Sequence, residues 1–203
     1  MDIELKPVSK RDFKKAIEFC RIGMNVDRYT DKPFEISLYS KYFWYMELLR
    51  ATQIIGAYID GKFVGVLLAD MNGEKKAYKS IYASLFIKTA ELFMGMLFKG
   101  GANVYSDTNE KMLADFTKKN KPDGEMNFLA VEPDLNGMGI GTALLEELSK
   151  REKGKLIYLF TDTGCTYQFY DKRDFSRDGE ENIIMNLHGK EIPLTCFLYS
   201  KTL

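Results

Sequence analysis

The stretch that decides the fold of this chain runs from Asn127 to Leu145 and reads NFLAVEPDLNGMGIGTALL. Its apolar first part predicts a strand, a Pro-Asp turn follows, and three alternating glycines open an apolar pattern of helical period. At such a junction, unbonded backbone N–H groups and the positive end of a helix dipole point at one spot. The glycines let an anion approach the backbone closely, so the stretch favours a phosphate or diphosphate site. A tight turn without a ligand is the alternative.

Composition favours a folded domain without a strong electrostatic preference. The chain has 203 residues, of which 45% are hydrophobic and 13% aromatic, which suits a single domain over residues 1–203 with a substantial core. Its 29 basic and 29 acidic residues balance. We therefore expect binding neither to nucleic acid nor to an anionic membrane surface.

The cysteines and the apolar segments indicate a soluble, cytoplasmic protein. Cys20, Cys165 and Cys196 are odd in number and lack the spacing of metal ligands, so we expect no metal and a reducing compartment. The amino-terminal residues lack the apolar core of a signal peptide. Charged residues interrupt the longest apolar stretch, 82–98, which predicts a buried helix and not a membrane span.

Periodicity predicts the order β-α-α-β-β-(two helices)-β-α-β-α-β-β. Before the glycine-bearing strand we expect a strand over 3–8, a helix capped by Ser9, a helix over 35–50 and a hairpin of 53–59 and 62–70 turning at Asp60-Gly61. After it we expect a helix ending near Lys153-Gly154, a strand over 155–161, a short helix over 165–172 and a hairpin of 183–187 and 191–200. This order predicts an α/β fold, a mixed sheet with helices on both faces.

A helical insertion of about 74–124 precedes the glycine-bearing strand. Its first helix, over 74–98, has an apolar stripe formed by Tyr78, Ile81, Tyr82, Leu85, Thr89, Leu92 and Met96. Its second half is apolar nearly all round, and a helix of that kind is buried on several sides or packs against a partner, which leaves a homodimer open. A second helix is predicted over about 108–119. The aromatic residues of the insertion could wall an amine pocket, complete the core or form a dimer contact.

Two motifs in register resemble the GNAT superfamily of acyl-CoA-dependent N-acetyltransferases. Residues 136–141, NGMGIG, are similar to the Gln/Arg-x-x-Gly-x-Gly/Ala signature that follows the family's fourth strand. Residues 170–175, YDKRDF, are similar to the Tyr-x-x-x-Gly-Phe signature that ends a short helix after the fifth strand. The resemblance implies a GNAT-like, mostly antiparallel twisted sheet with helices on both faces.

The resemblance also implies which residues bind the co-substrate, acetyl-CoA. The strand backbone at Leu129, Ala130 and Val131 would pair with the pantetheine amides, as an added strand does. The diphosphate would lie on a loop made of Asn136, Gly137, Met138, Gly139, Ile140, Gly141 and Thr142. The residues expected beside the cofactor from the next strand and helix are Thr163, Thr166 and Phe169.

The chain departs from the family pattern at three positions. Asn136 replaces Gln or Arg, Met138 stands where a basic residue is common, and Asp174 replaces Gly. The loop has no cation of its own, so binding would depend on backbone N–H groups, the Thr142 hydroxyl and the helix dipole. Lys172 or Arg173 could add charge nearby. We expect a formed site of modest affinity.

Direct attack of an amine on a thioester needs a neutral amine and a proton for the leaving thiolate. The resemblance places Tyr170 beside the CoA sulfur, which makes it the expected acid, with a core aromatic as the alternative. Glu125 is the position that the family suggests for the base, although it could equally be a solvated turn residue. Cys165 has no histidine partner in sequence, since the only histidine, His188, lies in a predicted turn.

Together, these expectations predict an enzyme, an N-acetyltransferase that moves an acetyl group from acetyl-CoA to a primary amine of a small molecule or peptide. A CoA-binding module or sensor of the same fold that has lost catalysis is the alternative, because of the departures at Asn136 and Asp174. A structural protein with a ligand-free turn is the third hypothesis.

Overall fold

A single sheet of seven strands, seen in a computed structural model that describes residues 2–97, 102–187 and 190–203, organises the chain. The strands are β1 (Glu4–Lys6), β2 (Gln53–Ile59), β3 (Lys62–Met71), β4 (Gly124–Val131), β5 (Leu156–Asp162), β6 (Ser176–Leu187) and β7 (Lys190–Thr202). The α-helices are α1 (Phe13–Gly23), α2 (Val26–Tyr29), α3 (Pro33–Arg50), α4 (Ile81–Leu97), α5 (Ala102–Thr117), α6 (Ile140–Arg151) and α7 (Gln168–Asp171). The predicted order is confirmed, with α2 as an addition.

The sheet is mixed and mostly antiparallel. Its order is β1-β2-β3-β4-β5-β7-β6, and only β4 and β5 run parallel. Helix α6 covers one face through buried Ile140, Leu144 and Leu148. Helices α1 and α3 cover the opposite face with Phe19, Trp44 and other apolar side chains. The predicted fold class is therefore confirmed.

Strands β4 and β5 separate soon after they begin. They pair only where Gly124 lies opposite Ile157 and Glu125 opposite Tyr158. Both strands continue, to Val131 and Asp162, without further pairing between them. The edge of β4 that faces β5 is thus open along most of its length.

Strand β4 also carries a bulge. Leu68 of β3 lies opposite Phe128, but Asp70 lies opposite Glu125, so β4 has one residue more than β3 between these pairs. A bulge redirects side chains on the strand that contains it. Here Asn127 reaches helix α3, where its amide donates a hydrogen bond to the Glu47 carboxylate.

The β2–β3 hairpin turns as predicted. Asp60 and Gly61 have φ angles of 50° and 72°, and two central residues with positive φ are what a type I′ turn requires. The turn fixes the register that buries Ile55, Leu67 and Leu68 in the middle of the sheet.

Helix α4 differs from the prediction in its start and in its buried face. It begins at Ile81, because the Ser80 hydroxyl accepts a hydrogen bond from the Ala83 N–H at 3.2 Å and so caps the first turn. The predicted stripe lies on the exposed side: Ile81, Tyr82, Leu85 and Leu92 are 86, 88, 62 and 70% exposed. Burial of these four side chains within the chain is therefore wrong, whereas packing of the helix against a partner stays a prediction. Small side chains at Ala83 and Ala90 face inward instead.

Four further predictions differ or lie outside the described residues. Strand β6 begins at Ser176 and not at 183, because its polar first half pairs with β7. A polar strand suits this position, since β6 is the last strand in the sheet order of the described residues and has one unpaired edge. Helix α5 begins at Ala102 and not at 108. The turn at His188 and the side chain of Met96 lie outside the described residues.

Two features are absent from the described ranges, a membrane-spanning helix and a cluster of metal ligands. None of the helices there is long and apolar enough to cross a membrane. No group of three or more His, Cys, Asp or Glu side chains there is arranged to hold a metal ion.

Candidate active site

The glycine loop has the backbone geometry that only glycine adopts readily. Gly137 and Gly139 have φ angles of 83° and 84°. Gly139 caps α6, and a Cβ atom built at either glycine would meet nothing within 4 Å. The space above these two residues is therefore open.

The first turn of α6 presents N–H groups without a backbone acceptor. The first intrahelical hydrogen bond runs from the Ala143 N–H to the Gly139 carbonyl, at 2.9 Å. The N–H groups of Ile140, Gly141 and Thr142 come before it, and none of them donates to a backbone carbonyl in the described part of the chain. These three donors meet the requirement for an anion site.

Asn136 and Met138 contribute differently from the other loop residues. Their N–H groups donate to the carbonyls of Pro133 and Leu135, both at 3.2 Å. These bonds close the turn that leads into α6. The predicted loop therefore divides into residues that shape the turn and residues that offer donors.

The two sequence motifs are in contact through Arg173. Its Nε and Nη2 atoms donate to the Thr142 hydroxyl at 3.1 and 2.5 Å, and Nη1 donates to the Phe169 carbonyl at 3.0 Å. The guanidinium also lies 3.7 Å from the centre of the Phe169 ring. All of these acceptors are uncharged, so the positive charge of Arg173 is not neutralised by a hydrogen-bonded carboxylate among the described residues.

The Tyr-x-x-x-Gly-Phe position held by Asp174 keeps a glycine-like backbone. Its φ angle is 58°, in the left-handed region that aspartate tolerates better than most residues. The chain therefore turns after α7 as a glycine would allow, and Arg173 keeps its place beside Thr142. The departure from the family pattern does not distort this turn.

The open edge of β4 offers backbone groups at alternate residues. The Glu132 N–H donates to the Val64 carbonyl of β3 at 2.8 Å. Because antiparallel strands bond one neighbour at every second residue, Ala130 also faces β3. Leu129 and Val131 therefore direct their N–H and C=O groups to the opposite side, where β5 has separated.

Tyr170 lies in an aromatic group with its hydroxyl free. Its ring centre is 5.3, 5.4 and 5.7 Å from those of Phe169, Phe175 and Tyr199. The hydroxyl makes no hydrogen bond to another described residue. Burial, with smaller contributions from Cys165 and Tyr199, raises the pKa of Tyr170 well above its usual value, so the phenol stays protonated at neutral pH.

Glu125 is already engaged by a cation. Its carboxylate accepts hydrogen bonds from Arg50 Nη2 at 2.5 Å and from the Tyr158 hydroxyl at 3.4 Å. It sits where β4 and β5 still pair. The Glu125 carboxylate is thus held by Arg50.

Glu47 of α3 is a second carboxylate at this point that the sequence did not single out. It is 5% exposed, and it accepts hydrogen bonds from Asn127 Nδ2 at 2.5 Å and from Arg50 Nη1 at 3.5 Å. Burial raises the pKa of Glu47 to about 7, against the opposing effects of Arg50 and Asn127. The one signal in the sequence was an acid within the apolar second half of the predicted helix.

The remaining predicted contacts lie away from the glycine loop or are unremarkable. The Thr163 hydroxyl accepts a hydrogen bond from the Thr195 N–H at 3.1 Å and so faces β7. Thr166 is exposed just before α7. Burial, followed by the charge of Asp162, raises the pKa of Cys165 to about 11, which suits a neutral thiol and not a nucleophile.

Solved structures of acetyltransferases share this architecture over nearly their whole length. PaiA N-acetyltransferase from Thermoplasma acidophilum, in complex with coenzyme A, is 16% identical, with a TM-score of 0.55 and 100% of both chains covered. Naa50 from Arabidopsis thaliana, in complex with the bisubstrate analogue CoA-Ac-MVNAL, is 16% identical, with a TM-score of 0.52 and the same coverage. A GCN5-related N-acetyltransferase from Rhodopseudomonas palustris is 13% identical, with a TM-score of 0.53 and coverage of 100% and 97%.

Comparison of sequences alone is less informative. No protein-family model matches the chain, and no curated protein sequence matches it. The likeness to known proteins therefore lies in the architecture, beside the contact between the two motifs. The chain has the fold of the GNAT superfamily.

Proposed function

We propose that the chain is an N-acetyltransferase that uses acetyl-CoA to acetylate a primary amine of a small molecule or peptide. The observation that carries this proposal is the contact between Arg173 and Thr142, beside the free N–H groups that begin α6. The solved structures of PaiA with coenzyme A and of Naa50 with a CoA-containing analogue support it by their shared fold.

The diphosphate of CoA would occupy the start of α6. The N–H groups of Ile140, Gly141 and Thr142 donate to its oxygens, and the helix dipole adds about 0.3–1 kcal/mol. Arg173 supplies the cation that the loop lacks. Its planar guanidinium suits phosphate oxygens better than an ammonium does, because it donates two parallel hydrogen bonds.

The pantetheine arm would lie along the open edge of β4. Leu129 and Val131 direct their backbone groups into the opening, where an extended amide chain can pair as an extra strand does. A backbone N–H of β4 would then also polarise the thioester carbonyl. Nothing in this step depends on a charged side chain.

Tyr170 would relay a proton during the chemical step. The amine nitrogen forms a bond to the carbonyl carbon, and the bond from that carbon to sulfur breaks. The phenol donates its proton to the sulfur and takes one from the nitrogen. A relay avoids a free phenolate, which the apolar surroundings of Tyr170 would disfavour.

Substitution of Tyr170 tests this function. We expect Tyr170→Phe to lower kcat by about 10²-fold or more, within the usual range for general acid catalysis. The Kd for CoA, measured by calorimetry, should not change. Tyr167→Phe is the matched control, because Tyr167 lies in the same turn and packs on Phe197, with ring centres 4.9 Å apart.

Three outcomes would contradict the proposal at different levels. No heat and no thermal shift with acetyl-CoA at millimolar concentration would exclude the CoA site. Binding of CoA without transfer to any amine would favour a sensor of the same fold. Equal kcat values in Tyr170→Phe and Tyr167→Phe would remove the phenol from the mechanism.

A further inference from the structure

Glu47, Arg50, Glu125 and Asn127 form a cluster whose charges do not balance. Two carboxylates share one guanidinium: Arg50 donates to Glu125 at 2.5 Å and to Glu47 at 3.5 Å. The nearby carboxylate of Asp70 has its own partner, Lys76, at 2.5 Å. When both glutamates of the cluster are ionised, it therefore lacks one positive charge.

Two oxygen atoms of the cluster also lack donors. Both hydrogen bonds to Glu47 within the described ranges end on Oε2, and Oε1 receives none. The Oδ1 atom of Asn127 is buried and has no partner, although its Nδ2 atom donates to Glu47. A buried acceptor without a donor is destabilising and therefore uncommon. A ligand with a positive charge and several N–H groups would supply both the missing charge and the missing hydrogen-bond donors.

We infer that Glu47 accepts the proton of the acceptor ammonium and that Asn127 orients it, so that this cluster is the amine site. This inference rests on the proposed function. It replaces Glu125 as the expected base, because Arg50 already engages that carboxylate. It also restricts the substrate class to primary amines that arrive as cations.

The position of the cluster fits this role. Glu125 marks the last pair of β4 and β5, so the cluster lies where the opening begins. Asn127 reaches the face of the sheet covered by α3, whereas Tyr170 packs with the apolar cluster on the α6 face. An amine would therefore reach the thioester carbon from the α3 face, while the sulfur that leaves this carbon would lie towards Tyr170 on the α6 face.

The proton balance is complete without a further reactant. The ammonium gives one proton to Oε1 of Glu47 and becomes a neutral amine. The amine attacks the thioester; the new C–N bond forms, the C–S bond breaks, and Tyr170 relays the second proton to sulfur. Glu47 returns its proton to water after the product leaves. A group with a pKa of about 7 is suited to this cycle.

The other groups around Glu47 do not compete for this proton near neutrality. Cys20 of α1 and Tyr39 of α3 interact electrostatically with it, and burial raises the pKa of each, so both remain neutral. From β3 and β4, Asp70 and Glu125 interact electrostatically with it, and each is ion-paired, with Lys76 and Arg50. The change of charge near pH 7 therefore belongs to Glu47.

The test is the pH profile of Glu47→Gln, with acetyl-CoA as donor and tyramine, spermidine and an alanine-initiated peptide as acceptors. The variant should lower kcat/KM at pH 7 by about 10²-fold or more. This deficit should shrink towards pH 10, because an amine that is already neutral needs no base. Glu47→Asp should lower the rate but keep the fall of kcat/KM at acid pH, because a carboxylate is still present. This variant tests the role of Glu47 as base if the glutamine variant does not fold.

Glu152→Gln is the matched control, since Glu152 is 4% exposed and its carboxylate bonds Gln53 at 2.6 Å, away from this cluster. Its profile should equal that of the unaltered protein. A deficit in Glu47→Gln that is the same at every pH, or no deficit, would overturn the role of Glu47 while acetyl transfer stands. Absence of transfer from the unaltered protein at every pH would overturn the proposed function as well.

Discussion

Arg173 decides how far CoA binding depends on charge. Arg173→Met keeps much of the contact with the Phe169 ring but removes the guanidinium from Thr142. We expect the Kd for acetyl-CoA to rise about tenfold, which corresponds to about 1.4 kcal/mol. Calorimetry at two salt concentrations measures it, and the loss should be larger at low salt.

Two controls test whether the effect of Arg173 on binding depends on the diphosphate. Lys172→Met removes an exposed charge one residue away and should leave the Kd unchanged. Acetyl-pantetheine has no diphosphate, so its KM should be the same with Arg173 or with methionine. If Arg173→Met raised the KM values of acetyl-CoA and acetyl-pantetheine by the same factor, Arg173 would act only on the folding of the α7 turn.

The site also requires the backbone conformation of Gly139. Gly139→Ala places a side chain at a φ of 84°, which costs about 1–2 kcal/mol of unfolding free energy. Gly154→Ala is the matched control, because Gly154 has a φ of 81° and is equally exposed. Urea denaturation should show similar losses, but only Gly139→Ala should weaken CoA binding. Equal CoA affinity in the two variants would contradict the assigned anion site.

The position and backbone conformation of site residues were predictable where a motif carries them, and not where distant segments meet. Gly137, Gly139 and Tyr170 follow from local pattern and family resemblance. Glu47 gains its partner Asn127 across 80 positions of sequence, and Arg173 reaches Thr142 across 31. Nothing local distinguishes an acid that will be buried beside an amide from one that will face water.

At the scale of elements, Ser80 sets the start of α4. Ser80→Ala removes the acceptor of the Ala83 N–H, and we expect a loss of about 0.5–2 kcal/mol in unfolding free energy. Ser84→Ala is the control, since that hydroxyl only bonds back to the Ser80 carbonyl on an exposed turn. An equal change in both variants would argue against the cap.

Elements with a clear period or a special turn were predicted closely, whereas those governed by tertiary contacts were not. The β2–β3 hairpin needed only Asp60-Gly61 between two apolar runs. Helix α4 is apolar on more than one side, so its pattern did not reveal that the side with Ala83 and Ala90 is the one that packs inward. The polar half of β6 lacked the alternation of a strand, and its pairing with β7 decides its structure.

For the whole molecule, Glu47 links stability to pH. Its pKa is raised from 4.5 to about 7, so the folded state binds its proton more tightly than the unfolded state does. This contribution is fully present below the unfolded pKa and is lost as pH rises towards 7, on the order of 3 kcal/mol. Glu47→Gln should therefore be more stable than the unaltered protein at pH 8 and similar to it at pH 4.5. Denaturation midpoints that differ equally at both pH values would contradict this linkage.

The gap between β4 and β5 has a consequence for solvent exchange. Without a neighbouring strand, the amide protons of Leu129 and Val131 should exchange with deuterium rapidly, while those of Phe128 and Ala130, which face β3, are protected. Bound CoA should slow the first pair and leave the second unchanged. Alternating fast and slow amide exchange along β4 would thus identify, residue by residue, the backbone groups that are available to pair with an extended ligand.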